Sequence, residues 1–285
     1  MIKRVMEELD FPCEAIEQLT KKFAELIASP AAKEKLHEAY DCLFGYKEGD
    51  YMALAKEMSE ITGIHDHTVE MLLLLGAADI LRYVYNAKGL PDKVWRDSMC
   101  DLRYKLFEYK KLSGLWGTNV GWWYKDFYTL KRFALGRLQF NFEEFRENEH
   151  YAVDVGLKNG DKVLDVHIQQ DGPFTDELCG ESFKMAEEFY EKYFSDFDYK
   201  AFTCHSWLLS PGLSQVLPET SNIIKFGKRF TILEYDPEND GQAVERIFET
   251  RFKGENFKPT SLQERARKLL DEGGHLGIAM GVILK

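Results

Sequence analysis

The chain has 285 residues, 45% hydrophobic and 30% charged, with a formal net charge of −11. That length buries a real core, in one large domain or two ordinary ones. The acidic balance, with Lys and Arg scattered rather than massed, speaks against nucleic acid and anionic membrane as partners, since both need a cationic footprint.

Twenty Phe, fourteen Tyr and five Trp point to thick cores or an apolar ligand cavity. Five cysteines stand far apart with no C-x-x-C pair, so neither a disulfide framework nor a structural zinc site is indicated, and no metal is expected. Reduced thiols and an opening "MIKRVMEELD" without an apolar run point to a cytoplasmic protein. The most apolar stretch, "MLLLLGAADILRYVY", contains Asp79 and Arg82 and is too short to span a bilayer; it reads as a buried helix.

The first 131 residues read as helices. Ile16, Leu19, Phe23 and Leu26/Ile27 form one apolar stripe. Pro30 suits the first turn of the next helix, Asp50 caps a third and Gly63 ends it. Further helices are predicted from about Thr68 to Ala87, from Pro91 onward, and over "NVGWWYKDFYTLKRF". "HDH" (65–67) at a helix start has no further ligands in phase and reads as a polar cap.

From about Phe133 the period changes. "ALGRLQFNF" and "YAVDVGLKNG" predict strands, and "KNGD" predicts a tight hairpin turn into "KVLDVHIQ". Leu178, Phe183, Ala186, Phe189/Tyr190 and Tyr193 mark a helix, and "KAFTCHSWLLS" the strand after it. A short helical region, the strand "RFTILEY", helical patterns near 241–250 and 261–271, and a closing strand "HLGIAMGVIL" complete the chain. The central strand–helix–strand unit makes a parallel pair through a right-handed crossover. The fold class is therefore α+β, with domains expected at 1–131 and 132–285.

This order of elements is similar to the GNAT (N-acetyltransferase) fold. "LGRLQF", "VHIQQDGPFT", "FTCHSWLLSPGLSQVLPETSNI" and "RFTILEYDPENDG" further resemble the acyltransferase-like proteins that pair a helical N-acyltransferase N-terminal domain with a GNAT-like C-terminal domain. The resemblance implies a central parallel pair that splays apart, at 161–169 and 200–209, with an acyl-CoA in the gap. It implies transfer of an acyl group from acetyl-CoA or another acyl-CoA to a small amine, hydroxyl or peptide acceptor. By the same resemblance "DGPFT" (171–175) becomes the pyrophosphate loop. Gly172 would let the backbone approach the phosphates, with Pro173 and Phe174 beside it, Thr175 capping the helix behind, and Gln169 and Asn222 nearby. The loop carries no Lys or Arg, and Asp176 and Glu177 would repel a pyrophosphate. Charge would have to come from Lys184, Lys225, Lys228 or Arg229.

Acyl transfer to an amine needs a base, an oxyanion donor and an acid for the departing thiolate. Alternation along a strand puts Asp165, His167 and Gln169 on one side, away from the helix that Leu164, Val166 and Ile168 face. His167 is then the candidate base, steadied by Asp165, against a structural histidine bonded to the same Asp. Cys204 and His205 are adjacent and point to opposite faces, so they form no dyad with each other. Cys204 is conceivable as an acyl-accepting nucleophile, against a buried structural cysteine, and Ser206 as the donor to the leaving thiolate. No Tyr lies between 211 and 226 to serve as the acid. The alternative is a non-catalytic GNAT-like binding or interaction module, in which the two central strands stay closed.

Overall fold

The computed structural model describes residues 2–148, 150–170, 172–248 and 259–285. The chain divides into two units, Met1–Ala134 and Leu135–Lys285.

The first unit is built of α1 (Ile2–Glu8), α2 (Cys13–Ala28), α3 (Pro30–Leu43), α4 (Tyr51–Thr62), α5 (Asp66–Ala87), α6 (Asp92–Ser113) and, after a 3-10 turn at Gly121–Tyr124, the short α7 (Lys125–Tyr128). Its centre is α5, buried without a break from Thr68 to Asp79. A helix apolar all round belongs inside a bundle, which is why "MLLLLGAAD" reads as core. The end signals act as expected. Pro30 opens α3 behind a Ser29 cap, Asp50 Oδ1 accepts from the amides of Met52 and Ala53, and Gly63 closes α4 at φ 70°.

In the "HDH" segment His65 makes no capping bond, but Asp66 Oδ1 accepts from the first-turn amide of His67, and His67 Nδ1 lies 2.8 Å from Glu70 Oε1. Around this pair the 116–121 loop is tied to α5. Thr118 N donates to the His67 carbonyl, Gly121 N to Glu70 Oε2, and Thr68 Oγ1 to the Trp116 carbonyl. Burial raises the pKa of Glu70.

β1 (Arg132–Leu135) carries the chain across the boundary between the units. The second unit continues with β2 (Leu138–Glu144), β3 (Lys162–Ile168), α8 (Asp176–Tyr193), β4 (Ala201–Ser206), α9 (Asn222–Gly227), β5 (Thr231–Asp236), α10 (Gly241–Phe248), α11 (Ser261–Asp271) and β6 (Ile278–Leu284). The sheet order is β1-β2-β3-β4-β6-β5, with β3 and β4 parallel and β2–β3, β4–β6 and β5–β6 antiparallel. On one face α8 packs through aromatic rings, Phe183 lying 5.8 Å from Phe140 and 5.0 Å from Phe202. On the other face Val163, Ala201, Leu233 and Val282 are covered by Phe145 and Leu157, with Tyr151 and Val155 packed alongside. These last four side chains belong to the β2–β3 connection, which crosses the sheet as a strap. Ala152 N donates to the carbonyl of Leu233, where a bulge interrupts β5.

Several expectations need correction. "ALGRLQFNF" is two strands joined at Gly136-Arg137, where φ is 71° and a Cβ would stand 2.7 Å from Ser182 Oγ. Residues 151–160 form no strand, so "KNGD" turns the chain without making a hairpin; β3 pairs with β2 instead. The strap explains this, since its apolar residues go under the sheet rather than along its edge. β4 stops at Ser206, whose Oγ accepts from Leu208 N and starts a 3-10 turn at Trp207–Leu209. α10 ends at Phe248, and residues 249 and 250 of the predicted pattern lie outside the described residues.

The start of β6 hangs on Asp240. Its Oδ1 accepts from Leu276 N at 2.6 Å and Gly277 N at 2.9 Å, and its Oδ2 lies 2.8 Å from His275 Nδ1. Burial raises the pKa of this carboxyl, but the Gly277 amide, His275 and the Leu276 amide lower it by more, to below its ordinary value. A depressed pKa gives stability that is present above the unfolded value and lost as pH falls through the folded one. Asp240→Asn should therefore cost about 2 kcal/mol at neutral pH, the size of a charge-assisted bond. In urea melts, the gap from wild type should close as the pH drops below about 4.

Candidate functional site

The register of the central strands defines the site. β3 and β4 are paired at Val163↔Ala201, Leu164↔Phe202 and Asp165↔Thr203, and their ladder ends there. β3 stays paired with β2 as far as Leu138↔Ile168, and β4 with β6 as far as Ser206↔Ala279. Beyond the Asp165–Thr203 rung, each strand follows its outer neighbour and not the other. This is the fork that a splayed pair requires.

Facing residues on paired strands project to the same side. Asp165 and His167 therefore share with Thr203 and His205 the face opposite α8, just past the part covered by the strap. His167 Nε2 lies 3.3 Å from Asp165 Oδ2, and Thr203 Oγ1 donates to Asp165 Oδ1 at 2.9 Å. On the β2 side, Asn141 stands beside Asp165 and Gln139 beside His167. Both amides are almost fully buried, at 3% and 2% exposure. Buried amides in a strand are costly unless bonded. Asn141 Nδ2 donates to Glu143 Oε1, while among the described residues its Oδ1 meets no donor. The sequence reading missed Gln139, Asn141 and Thr203. The alternation in "LQFNF" carried the signal for the first two, two amides on one side of a strand.

Cys204 points the other way, toward α8, and is 1% exposed. Burial pushes its thiol pKa well above the ordinary value, and the Asp165 charge adds to that. A buried thiol that stays protonated packs rather than attacks. Ser206, the last residue of β4, is buried with its oxygen engaged as an acceptor from Leu208 N.

At the end of the fork lies the loop before α8. Asp171 is outside the described residues. Gly172 takes φ 94°, a conformation that side chains rarely adopt. Phe174 meets Phe226 of α9 edge to face with centroids 5.1 Å apart, and Thr175 Oγ1 accepts from Leu178 N as the cap of α8. Asn222 is exposed, one turn before Phe226. Gln169 directly follows β3 and is half-buried.

Two guanidinium groups reach the loop from elsewhere in the chain, Arg229 as expected and Arg137 not foreseen. Arg137, from the β1–β2 turn, donates Nε to the Pro173 carbonyl and lies 5.3 Å over the Phe174 ring. Arg229, after α9, donates Nε to Asp176 Oδ1 and Nη2 to the Asp176 carbonyl. Gly180 leaves room for it, since a Cβ there would come within 3.4 Å of Nη2. The acidic first turn of α8 is thus answered by a cation. Lys184 and Lys228 are instead engaged by Glu188 and Glu219.

Among the described residues no cluster of three His, Cys, Asp or Glu side chains is placed to hold a metal ion, and no helix is long and apolar enough to cross a membrane. In a thiol titration of the native protein, exposed Cys13 should react promptly, whereas Cys204 should react only on the timescale of unfolding. Prompt labelling of Cys204 would restore it as a candidate nucleophile.

Residues 1–130 match the N-acyltransferase N-terminal domain family, and residues 132–283 match the GNAT-like C-terminal domain family. Comparison with curated proteins finds no match. Among solved structures, the chain is similar to an acyltransferase in complex with decanoyl-CoA and teicoplanin, at 20% identity and a TM-score of 0.75 over 99% of this chain and 86% of that one. An acyltransferase mutant with octanoyl-CoA aligns at 19% identity and a TM-score of 0.77 over 99% and 86%. An acyltransferase with decanoyl-CoA aligns at 22% and 0.74 over 98% and 86%. At these identities the likeness establishes the fold. With both domain families matched along nearly its whole length, the chain belongs to the acyltransferase-like proteins that join an N-acyltransferase N-terminal domain to a GNAT-like C-terminal domain.

Proposed function

We propose that the protein is an acyl-CoA-dependent acyltransferase, with the acyl donor's pantetheine arm lying in the fork between β3 and β4. The observation that carries this is the end of the β3–β4 ladder at Asp165↔Thr203 while both outer ladders continue. Backbone amides and carbonyls along 166–168 and 204–206 do not pair with one another, which suits the two amides of a pantetheine arm. The same feature favours a transferase over a non-catalytic module, whose strands would close. The pyrophosphate would rest at the N-terminus of α8, against Gly172–Thr175 and beside Arg137 and Arg229, with Gln169 and Asn222 at the margins. Helix N-termini and guanidinium groups are the ordinary partners of phosphate.

In this reading the acceptor is a small molecule or a peptide presenting an amine or a hydroxyl. Its nucleophilic atom attacks the thioester carbonyl and His167 takes its proton. The carbonyl re-forms as the carbon–sulfur bond breaks, and the thiolate leaves and takes up a proton, with Ser206 at the end of β4 as the proposed donor. Asp165 holds the imidazolium that forms. Cys204 has no part in the transfer.

Acyl-CoA that binds only the native protein must raise its melting temperature, by several degrees at a hundredfold excess over Kd. A series from acetyl-CoA to decanoyl-CoA would show which chain length is preferred, and no shift at millimolar concentration would refute the donor site. Turnover is read as thiol release in a panel of amines, hydroxyl compounds and short peptides, teicoplanin included. In that assay His167→Ala should lower kcat by roughly 10²–10⁴-fold, the usual worth of a positioned base.

A further inference from the structure

We propose that Thr203 is a positioning residue for the His167 base. It acts through Asp165 from the last rung that joins the splayed strands. This rests on the reading of His167 as the base. Thr203 is 3% exposed and sits directly opposite Asp165 in the parallel register. Its hydroxyl is donated across the strand gap to Asp165 Oδ1 at 2.9 Å, which leaves Oδ2 directed at His167 Nε2, 3.3 Å away.

The two side chains differ in stiffness. A β-branched threonine on a strand has a restricted χ1. The terminal torsion of a carboxylate is broad and twofold, so an aspartate alone does not hold one oxygen in place. The threonine hydroxyl restrains Oδ1 and passes the rigidity of β4 to a carboxylate on β3. With Oδ2 held toward Nε2, the imidazole is held in one orientation relative to β3. The location is significant. One residue further along, the strands no longer pair, so position 203 is the last at which a β4 side chain can reach across a closed rung.

The test uses the full chain and the variants Thr203→Val, Thr203→Ser, Asp165→Asn and His167→Ala. An imidazole N–H held by a carboxylate gives a downfield proton resonance that exchanges slowly with water. Wild type should show one that disappears in His167→Ala and Asp165→Asn. It should be lost or broadened in Thr203→Val and kept in Thr203→Ser. In the thiol-release assay with decanoyl-CoA, Thr203→Val should lower kcat by about 10- to 100-fold, with KM for decanoyl-CoA unchanged. Thr203→Ser should restore most of that loss. The double variant Thr203→Val/Asp165→Asn should be no slower than Asp165→Asn alone, because both act along one line. A wild-type spectrum without the resonance would overturn the proposal. So would a Thr203→Val protein that keeps both resonance and turnover, and that result would leave His167 standing if His167→Ala is inactive. Full turnover in His167→Ala would instead overturn the base itself, and with it any catalytic use of Thr203.

Discussion

A sheet closes by default. Two parallel strands side by side gain a hydrogen bond at nearly every step, and buried backbone groups left without partners are expensive. A fork in mid-sheet therefore has to be enforced, and here the outer ladders enforce it. β2 follows β3 to Ile168, and β6 follows β4 to Ser206. With each central strand committed outward, the twist of the sheet carries the two apart once the Asp165–Thr203 rung is passed. Everything chemical in the second unit is arranged around that rung: Asp165 and Thr203 on it, His167 and His205 beyond it, and the α8 loop at its far end.

Charge around the loop follows a similar logic of supply from outside. A helix that opens with Asp176 and Glu177 has spent its dipole on its own carboxylates. Arg229 claims Asp176 with a guanidinium–carboxylate pair, and Arg137 holds the Pro173 carbonyl. The cations beside Gly172–Thr175 thus come from residues 36 and 53 positions away in sequence from the groups they hold, and the loop's own composition does not show them.

That is also the boundary of what the sequence made legible. Helices with stripes, caps and terminal glycines, the strand–helix–strand crossover, the facing of Asp165 with His167 and the capping role of Thr175 are all local patterns, and local patterns can be read from periodicity and end signals. The strap could not be read in this way. "YAVDVGLKNG" alternates well enough to resemble a strand, but its apolar side chains are satisfied under the sheet by Leu233 and Val282, residues from the far end of the chain. Thr203 was missed for the same reason. On its own strand it is a β-branched residue of the kind strands favour, and the register against Asp165 gives its hydroxyl a partner. The Asp240 anchor at the start of β6 likewise joins residues 36 positions apart.

The two faces of the sheet divide the work. Toward α8, Phe140, Phe183 and Phe202 interlock, and Cys204 lies in the same direction, as a small apolar group with a thiol that burial keeps protonated. Toward the strap, Val163 and Ala201 are covered first. The polar row of Asn141, Asp165 and Thr203 then begins where the strap's cover ends, followed by Gln139, His167 and His205. A polar row inside a sheet raises the cost of folding unless its members bond one another, and Thr203 to Asp165 to His167 is such a chain of partners. The aromatic face makes the strands rigid enough for a fork to keep its shape, and the opposite face, freed from packing past the strap, can carry acid–base groups.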